Sequence, residues 1–152
     1  MMSAGGKGVY LPKDLLHSKA FKAIKSAHTI RVLMEFYLRR RMSKPKSRDG
    51  KNSLPVIVNN GDIVLDYKYL MDHRGMSQTT ISRCFTELVN LGFVDVAEIA
   101  NGLHRQPTKW AISERWRKYG TPNFRATERP VITPPFARKR KSQLPHTEQN
   151  NG

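Results

Sequence analysis

Residues 66–93, DYKYLMDHRGMSQTTISRCFTELVNLGF, leave this chain few ways to fold. The spacing predicts a short helix from about residue 66 to 74, with Tyr67, Leu70 and Met71 turned inward. Gly75 supplies the left-handed residue that ends it, and Met76 plugs the turn. Ser77 then caps a second helix in which Ile81, Phe85 and Leu88 share one face. Gly92 terminates that helix, and Phe93-Val94-Asp95-Val96 opens a strand. Two helices joined by a turn this tight must cross steeply, so the second carries one face into a core and leaves the other open.

This is the helix-turn-helix layout, whose second helix enters a DNA major groove by its N-terminal end. Once the core positions are removed, Ser77, Gln78, Thr79, Thr80, Ser82, Arg83 and Thr86 remain. Gln pairs with adenine N6/N7 and Arg with guanine O6/N7, hydroxyls suit bases or phosphates, and a helix N-terminus favours an anion. Ser, Thr and Gln at a helix start are also ordinary capping residues. Against that bland reading, the first two turns carry no acid and one Arg, where a solvated helix would show Glu–Lys pairs.

After Val96 the pattern predicts a hairpin, with Ala97-Glu98-Ile99 on one side, a tip over residues 101–107, and Thr108-Lys109-Trp110-Ala111-Ile112 returning. Trp110 and Ile112 alternate with Ala111 and would face the helices. His104, Arg105 and Lys109 either reach backbone phosphates or the minor groove as a wing, or belong to a tip that does no more than close the hairpin.

Charge sharpens this picture. The chain has 152 residues and a formal net charge of +15, which a nearby polyanion would tolerate best, nucleic acid first and anionic membrane second. The basicity avoids the centre, where Lys68, Arg74, Arg83, Arg105 and Lys109 balance Asp66, Asp72, Glu87, Asp95 and Glu98. It gathers in Arg39, Arg40, Arg41, Lys44, Lys46, Arg48 and Lys51, and again in Arg138, Lys139, Arg140 and Lys141. Arg39 to Arg41 also suit the negative end of a helix dipole. Lys44, Lys46, Arg48 and Lys51, with Arg138 to Lys141, are the candidates for sequence-independent contact with a DNA backbone. The expected partner is double-stranded DNA, with no membrane and no small-molecule ligand.

The remaining chemistry is sparse. Cys84 is the sole cysteine, and His17, His28, His73, His104 and His146 are scattered, so no metal and no cofactor is expected. A reducing, cytoplasmic setting follows from one thiol, no signal-like N-terminus and no apolar run of membrane length. The chain lacks a G-x-x-x-x-G-K-S/T loop, a G-x-G-x-x-G turn and an H-x-H pair, which disfavours an enzyme.

Elsewhere, residues 1–8 read as a disordered terminus, and short helices are predicted over 13–17 and 18–25, the second capped by Ser18. A longer helix over 26–41 carries Ile30, Leu33, Met34, Tyr37 and Leu38 on one stripe, widened by Val32 and Phe36. Residues 42–55 read as a basic surface loop. Val56-Ile57-Val58 and Ile63-Val64-Leu65, separated by Asn59-Asn60-Gly61-Asp62, predict a small hairpin. Past residue 120 the apolar pattern thins and prolines recur, which predicts a basic C-terminal arm over 121–152 behind a domain over 9–120. The expected fold class is mainly α with a small antiparallel sheet (α+β), a winged helix-turn-helix.

Two motifs, S-x-x-T-I-S-R from Ser77 and E-L-V-x-L-G-F from Glu87, resemble the recognition helix and following strand of winged helix-turn-helix DNA-binding proteins. N-N-G-D-I from Asn59 and A-I-S-E-R-W-R-K-Y-G-T-P-N-F from Ala111 extend the likeness over residues 11–124, to small, largely uncharacterised bacterial, phage and plasmid winged-helix proteins. The resemblance implies the fold more firmly than the function; the role expected of the chain is transcriptional regulation, with a homodimer as a candidate assembly. Its alternatives are a non-catalytic replication-accessory role for a mobile element, or an RNA- or protein-binding winged-helix module.

Overall fold

The computed structural model describes residues 9–43, 55–104 and 106–130. It is a mixed α and β fold in which five helices pack around a small two-stranded antiparallel sheet: α1 (Lys13–Leu16), α2 (Lys19–Lys22), α3 (Ala27–Arg39), α4 (Tyr67–Arg74), α5 (Gln78–Leu91), β1 (Val94–Glu98) and β2 (Lys109–Ile112). Short 3-10 turns occupy Gly102–His104 and Arg115–Lys118. No helix among the described residues is long and apolar enough to cross a membrane.

Helices α4 and α5 start and stop where the sequence provides caps. Asp66 accepts the Tyr69 amide at 2.8 Å, Ser77 accepts the Thr80 amide at 3.2 Å, and Gly75 and Gly92 take positive φ at the two C-termini. Met76 is buried in the turn, and Ile81, Phe85 and Leu88 are buried along α5. Met71 is not inward as expected: it is 40% exposed, because an eight-residue helix resting on α5 buries only Leu70 fully, with Tyr67 and Tyr69 buried in part.

The inward face of α3 also differs from expectation. Thr29, Val32, Leu33, Glu35, Phe36 and Tyr37 are buried, whereas Met34 and Leu38 are 39% and 45% exposed. The helix has more apolar residues than inward positions, so the stripe read from the sequence was displaced to one rim. It ends at Arg39 rather than near 41, since Arg40 is extended and Met42 turns to pair with Ile57.

The hairpin expected over 56–65 does not form. Its two halves pair with different partners: Val58 donates to the Arg41 carbonyl and Ser43 to that of Val56, both at 2.8 Å, while Ile63 and Trp110 exchange backbone hydrogen bonds at 3.2 and 2.8 Å. The Asn residues act as backbone mimics rather than as turn residues alone. Asn59 donates to the Arg39 carbonyl and accepts the Arg41 amide, and Asn60 does the same for the Ile112 carbonyl and amide. The segment thereby bridges α3 and the sheet.

The sheet pairs Val94 with Ile112, Asp95 with Ala111, Val96 with Trp110 and Glu98 with Lys109, with a bulge between Val96 and Glu98. Trp110 and Ile112 are buried against the helices. Phe85 joins the two layers, its ring 5.9 Å from Phe36, 4.8 Å from Trp110 and 5.5 Å from Tyr67.

A buried carboxylate ties α3 to α4. Glu35, 2% exposed, takes Arg39 Nη1 at 2.5 Å on one oxygen and Arg74 Nε and Nη2 at 3.0 and 2.5 Å on the other. Arg39 is thus held by Glu35 and lies 4.4 Å from the Tyr69 ring centroid, beyond any general complement to the helix dipole. Burial pushes the Glu35 carboxyl up, but hydrogen bonds from Arg74 and Arg39, with their charges, more than offset it and hold the group below its ordinary value of 4.5. A depressed carboxyl contributes stability that is full above its unfolded pKa and disappears as pH falls through the folded one. Glu35→Gln is therefore expected to lower the melting temperature at neutral pH and to flatten its decline on acidification. Thermal melts of both proteins from neutral to strongly acidic pH check this, and parallel curves would contradict it.

Residues 113–130, beyond β2, stay attached to the folded part. Arg115, 14% exposed on its side chain, pairs with Asp95 and donates to the Val89 and Val94 carbonyls, and its Nη1 reaches the Arg125 carbonyl at 2.9 Å. Trp116 is buried beside Phe93, and Arg129 lies on α5. The arm expected from residue 121 therefore begins with a segment still bound to the folded part.

Candidate nucleic-acid interface

Gly75, the buried Met76 and the Ser77 cap lift the N-terminal end of α5 clear of the core. At that end the candidate readers divide into two groups. Ser77 and Thr80 are spent on each other, the Ser77 hydroxyl accepting the Thr80 amide and lying 3.0 Å from its hydroxyl. Gln78, Thr79 and Arg83 are exposed and make no side-chain hydrogen bond among the described residues. The first turn holds no acid.

The one acid on α5 lies one turn beyond Arg83 and is held by neutral donors. Glu87 accepts the Thr29 hydroxyl at 2.6 Å and the Lys25 amide at 2.9 Å, which draws it to the start of α3. The acids of α4 are likewise engaged, Asp66 as the cap and Asp72 with Lys68 at 2.9 Å. The neutral balance of this region rests on local pairs, Lys68 with Asp72, Arg74 with Glu35 and Asp95 with Arg115, whereas Asp66 and Glu87 take only neutral donors and Arg83 is not paired with any described residue.

Ser82 and Thr86 lie on the flank of α5 that faces the sheet, and Arg129 occupies them. Its Nη1 lies 3.0 Å from the Ser82 carbonyl, 2.9 Å from the Ser82 hydroxyl and 3.3 Å from the Thr86 hydroxyl, and its Nη2 donates to the Tyr67 hydroxyl at 3.0 Å. The guanidinium carbon lies 5.5 Å from the Phe85 ring centroid. Behind it a groove of about 500 Å³ opens between α5, the start of α4 and the hairpin, walled by Leu65, Phe85, Val96, Ile99 and Trp110. Sequence reasoning missed Arg129 and Tyr67, since a lone Arg in a proline-containing segment carries no periodic signal.

Beside the groove, Lys109 is shared between Glu98 at 3.4 Å and Asp62 at 3.6 Å, so its charge is largely neutralised locally. The backbone of His104 closes the 3-10 turn at the hairpin tip. Arg105, Lys44, Lys46, Arg48, Lys51, Arg138, Lys139, Arg140 and Lys141 lie outside the described residues.

Among the described residues no group of His, Cys, Asp and Glu is arranged to hold a metal. Cys84 is buried in the α5 core face, and burial pushes its thiol up despite a hydrogen bond with Thr29, which suits a packing role. No protein-family model, curated protein or solved structure matches this chain.

Proposed function

We propose that the chain is a winged helix-turn-helix protein that binds duplex DNA, with α5 as recognition helix, the β1–β2 hairpin as wing, and transcriptional regulation as its role. The observation that carries the reading is the exposed N-terminal half of α5, where Gln78, Thr79 and Arg83 stand unengaged on two turns that hold no acid. A helix surface of this kind matches the donor and acceptor pattern of base edges and phosphates. The net charge of +15 supports it, because phosphate neutralisation supplies most sequence-independent affinity. Lys44, Lys46, Arg48 and Lys51, with Arg138 to Lys141, would add to that term without reading sequence.

Gel mobility at equal salt tests the reading: duplex DNA is retarded, and structured RNA is not. Equal retardation of both, or of RNA alone, would reject it. Selection from a random duplex library then reveals the preferred site, and an enriched palindrome would establish specific binding and imply a dimer. On that site Arg83→Ala is expected to cost about 1–3 kcal/mol and relax one base position. Equal losses on preferred and random duplexes would instead assign Arg83 to phosphate.

A further inference from the structure

We infer that Arg129 is itself a DNA-backbone contact, a guanidinium that the C-terminal segment sets on the flank of α5 to clamp a phosphate. This rests on the DNA-binding reading above and assigns one side chain far from α5 in sequence to the same surface.

The argument begins with donors. A guanidinium carries five N–H groups in a planar fork. In Arg129 the described acceptors engage only Nη1 and Nη2, and Nη2 meets one of them, the Tyr67 hydroxyl. The Nε–H and one Nη2–H have no described partner, and free guanidinium N–H groups are what a phosphate or carboxylate accepts.

Charge points the same way. Arg115 ends on Asp95, and Arg39 and Arg74 share the single carboxylate of Glu35, whereas Arg40 is held by the Tyr10 carbonyl and the Tyr37 ring. Arg129 is held by two side-chain hydroxyls of α5, a carbonyl and a phenol, and no described carboxylate pairs with it. These neutral groups fix its orientation without cancelling its charge. Half-buried over the Phe85 ring and beside apolar walls, it has given up hydration that an anion would restore.

Placement supplies the anion. Ser82 and Thr86 are one turn apart on α5, adjacent to the exposed Arg83 and Thr79, so a duplex read by the start of α5 brings its backbone past this flank. Ser82 and Thr86 then serve DNA indirectly, as the seat of Arg129.

Fluorescence anisotropy of the full chain with a labelled random duplex, between 50 and 200 mM salt, tests the inference. Arg129→Gln is expected to weaken binding several-fold at the low-salt end and to reduce the log-log salt slope by about 0.9, the value of one phosphate contact. Arg129→Lys should keep the slope while recovering part of the affinity. Ser82→Ala combined with Thr86→Val retains every charge but dismantles the seat, and should also weaken binding; it decides the matter if Arg129→Gln fails to fold. Unchanged or tighter binding by Arg129→Gln would overturn the inference and make residues 125–130 a cover over α5. Failure of the parent chain to bind any duplex would overturn the DNA-binding reading as well.

Discussion

Gly92→Ala is expected to destabilise the protein by about 3 kcal/mol or more, whereas Gly75→Ala should cost only about 1–2 kcal/mol. Both glycines end a helix in the left-handed region, at φ +90 and +64, so both substitutions carry the penalty of a Cβ there. They differ in what the new methyl meets. At Gly75 nothing lies within 4 Å. At Gly92 a Cβ would lie 2.7 Å from the Trp116 backbone nitrogen and 2.9 Å from the Arg115 carbonyl carbon. These are main-chain atoms, and the Trp116 amide donates to the Gly92 carbonyl, so they cannot step aside as a flexible side chain would. The 3-10 turn would have to move, taking with it Trp116, which is 3% exposed, and the Arg115–Asp95 pair. Urea unfolding of both variants measures the difference. Equal costs would mean that the 3-10 turn shifts freely and is no fixed part of the core.

Phe85→Ala is expected to cost about 3–5 kcal/mol, the range for removing a buried aromatic ring without collapse around it. Phe85 is 1% exposed and touches α3 through Phe36, the sheet through Trp110 and the start of α4 through Tyr67. Those rings project from three separate elements, so no single side chain can swing in to fill the space. Phe85→Leu keeps most of the volume and should cost clearly less. Phe85 also underlies the Arg129 guanidinium, so at a denaturant level where Phe85→Ala remains folded, the attachment of residues 125–130 should loosen, read as faster amide exchange or proteolysis near Arg129. A cost below about 1 kcal/mol would show that the layers do not depend on this ring.

The parts of this molecule that could be read from the sequence are those governed by local rules. Ser77, Gly75 and Gly92 mark helix ends because a capping hydroxyl and a left-handed residue act within a few positions of themselves. Ile81, Phe85 and Leu88, and the alternation of Trp110 with Ile112, were visible because each repeats at its element's own period. What escaped was set by distant partners. Glu35 looks like a polar interruption of an apolar helix until Arg39 and Arg74 are brought to it. Asn59 and Asn60 look like turn residues, yet their amides complete the backbone bonding of Arg39, Arg41 and Ile112. The hairpin expected over 56–65 failed for the same reason, since two β-prone runs joined by a turn pair with each other only if no better neighbour competes. Of the candidate readers on α5, Gln78, Thr79 and Arg83 stand open as expected, while Ser82 and Thr86 are taken by Arg129, which lies 47 residues from Ser82.

The pairing of Met42 with Ile57 has a consequence for how such a chain can diversify. Ser43 donates to the Val56 carbonyl and Val58 to that of Arg41, so the backbone departs before residue 44 and returns after residue 54 at a single closed neck. Below that neck, Asn59 fastens the same strand to the end of α3. Closing a chain between the two sides of the neck carries an entropy cost that grows by about 0.6 kcal/mol for each doubling of its length. Because that cost rises so slowly, the neck is a point where the length of the chain can vary between relatives at little entropic expense, as long as the bonds of Ser43, Val58 and Asn59 that close it are kept.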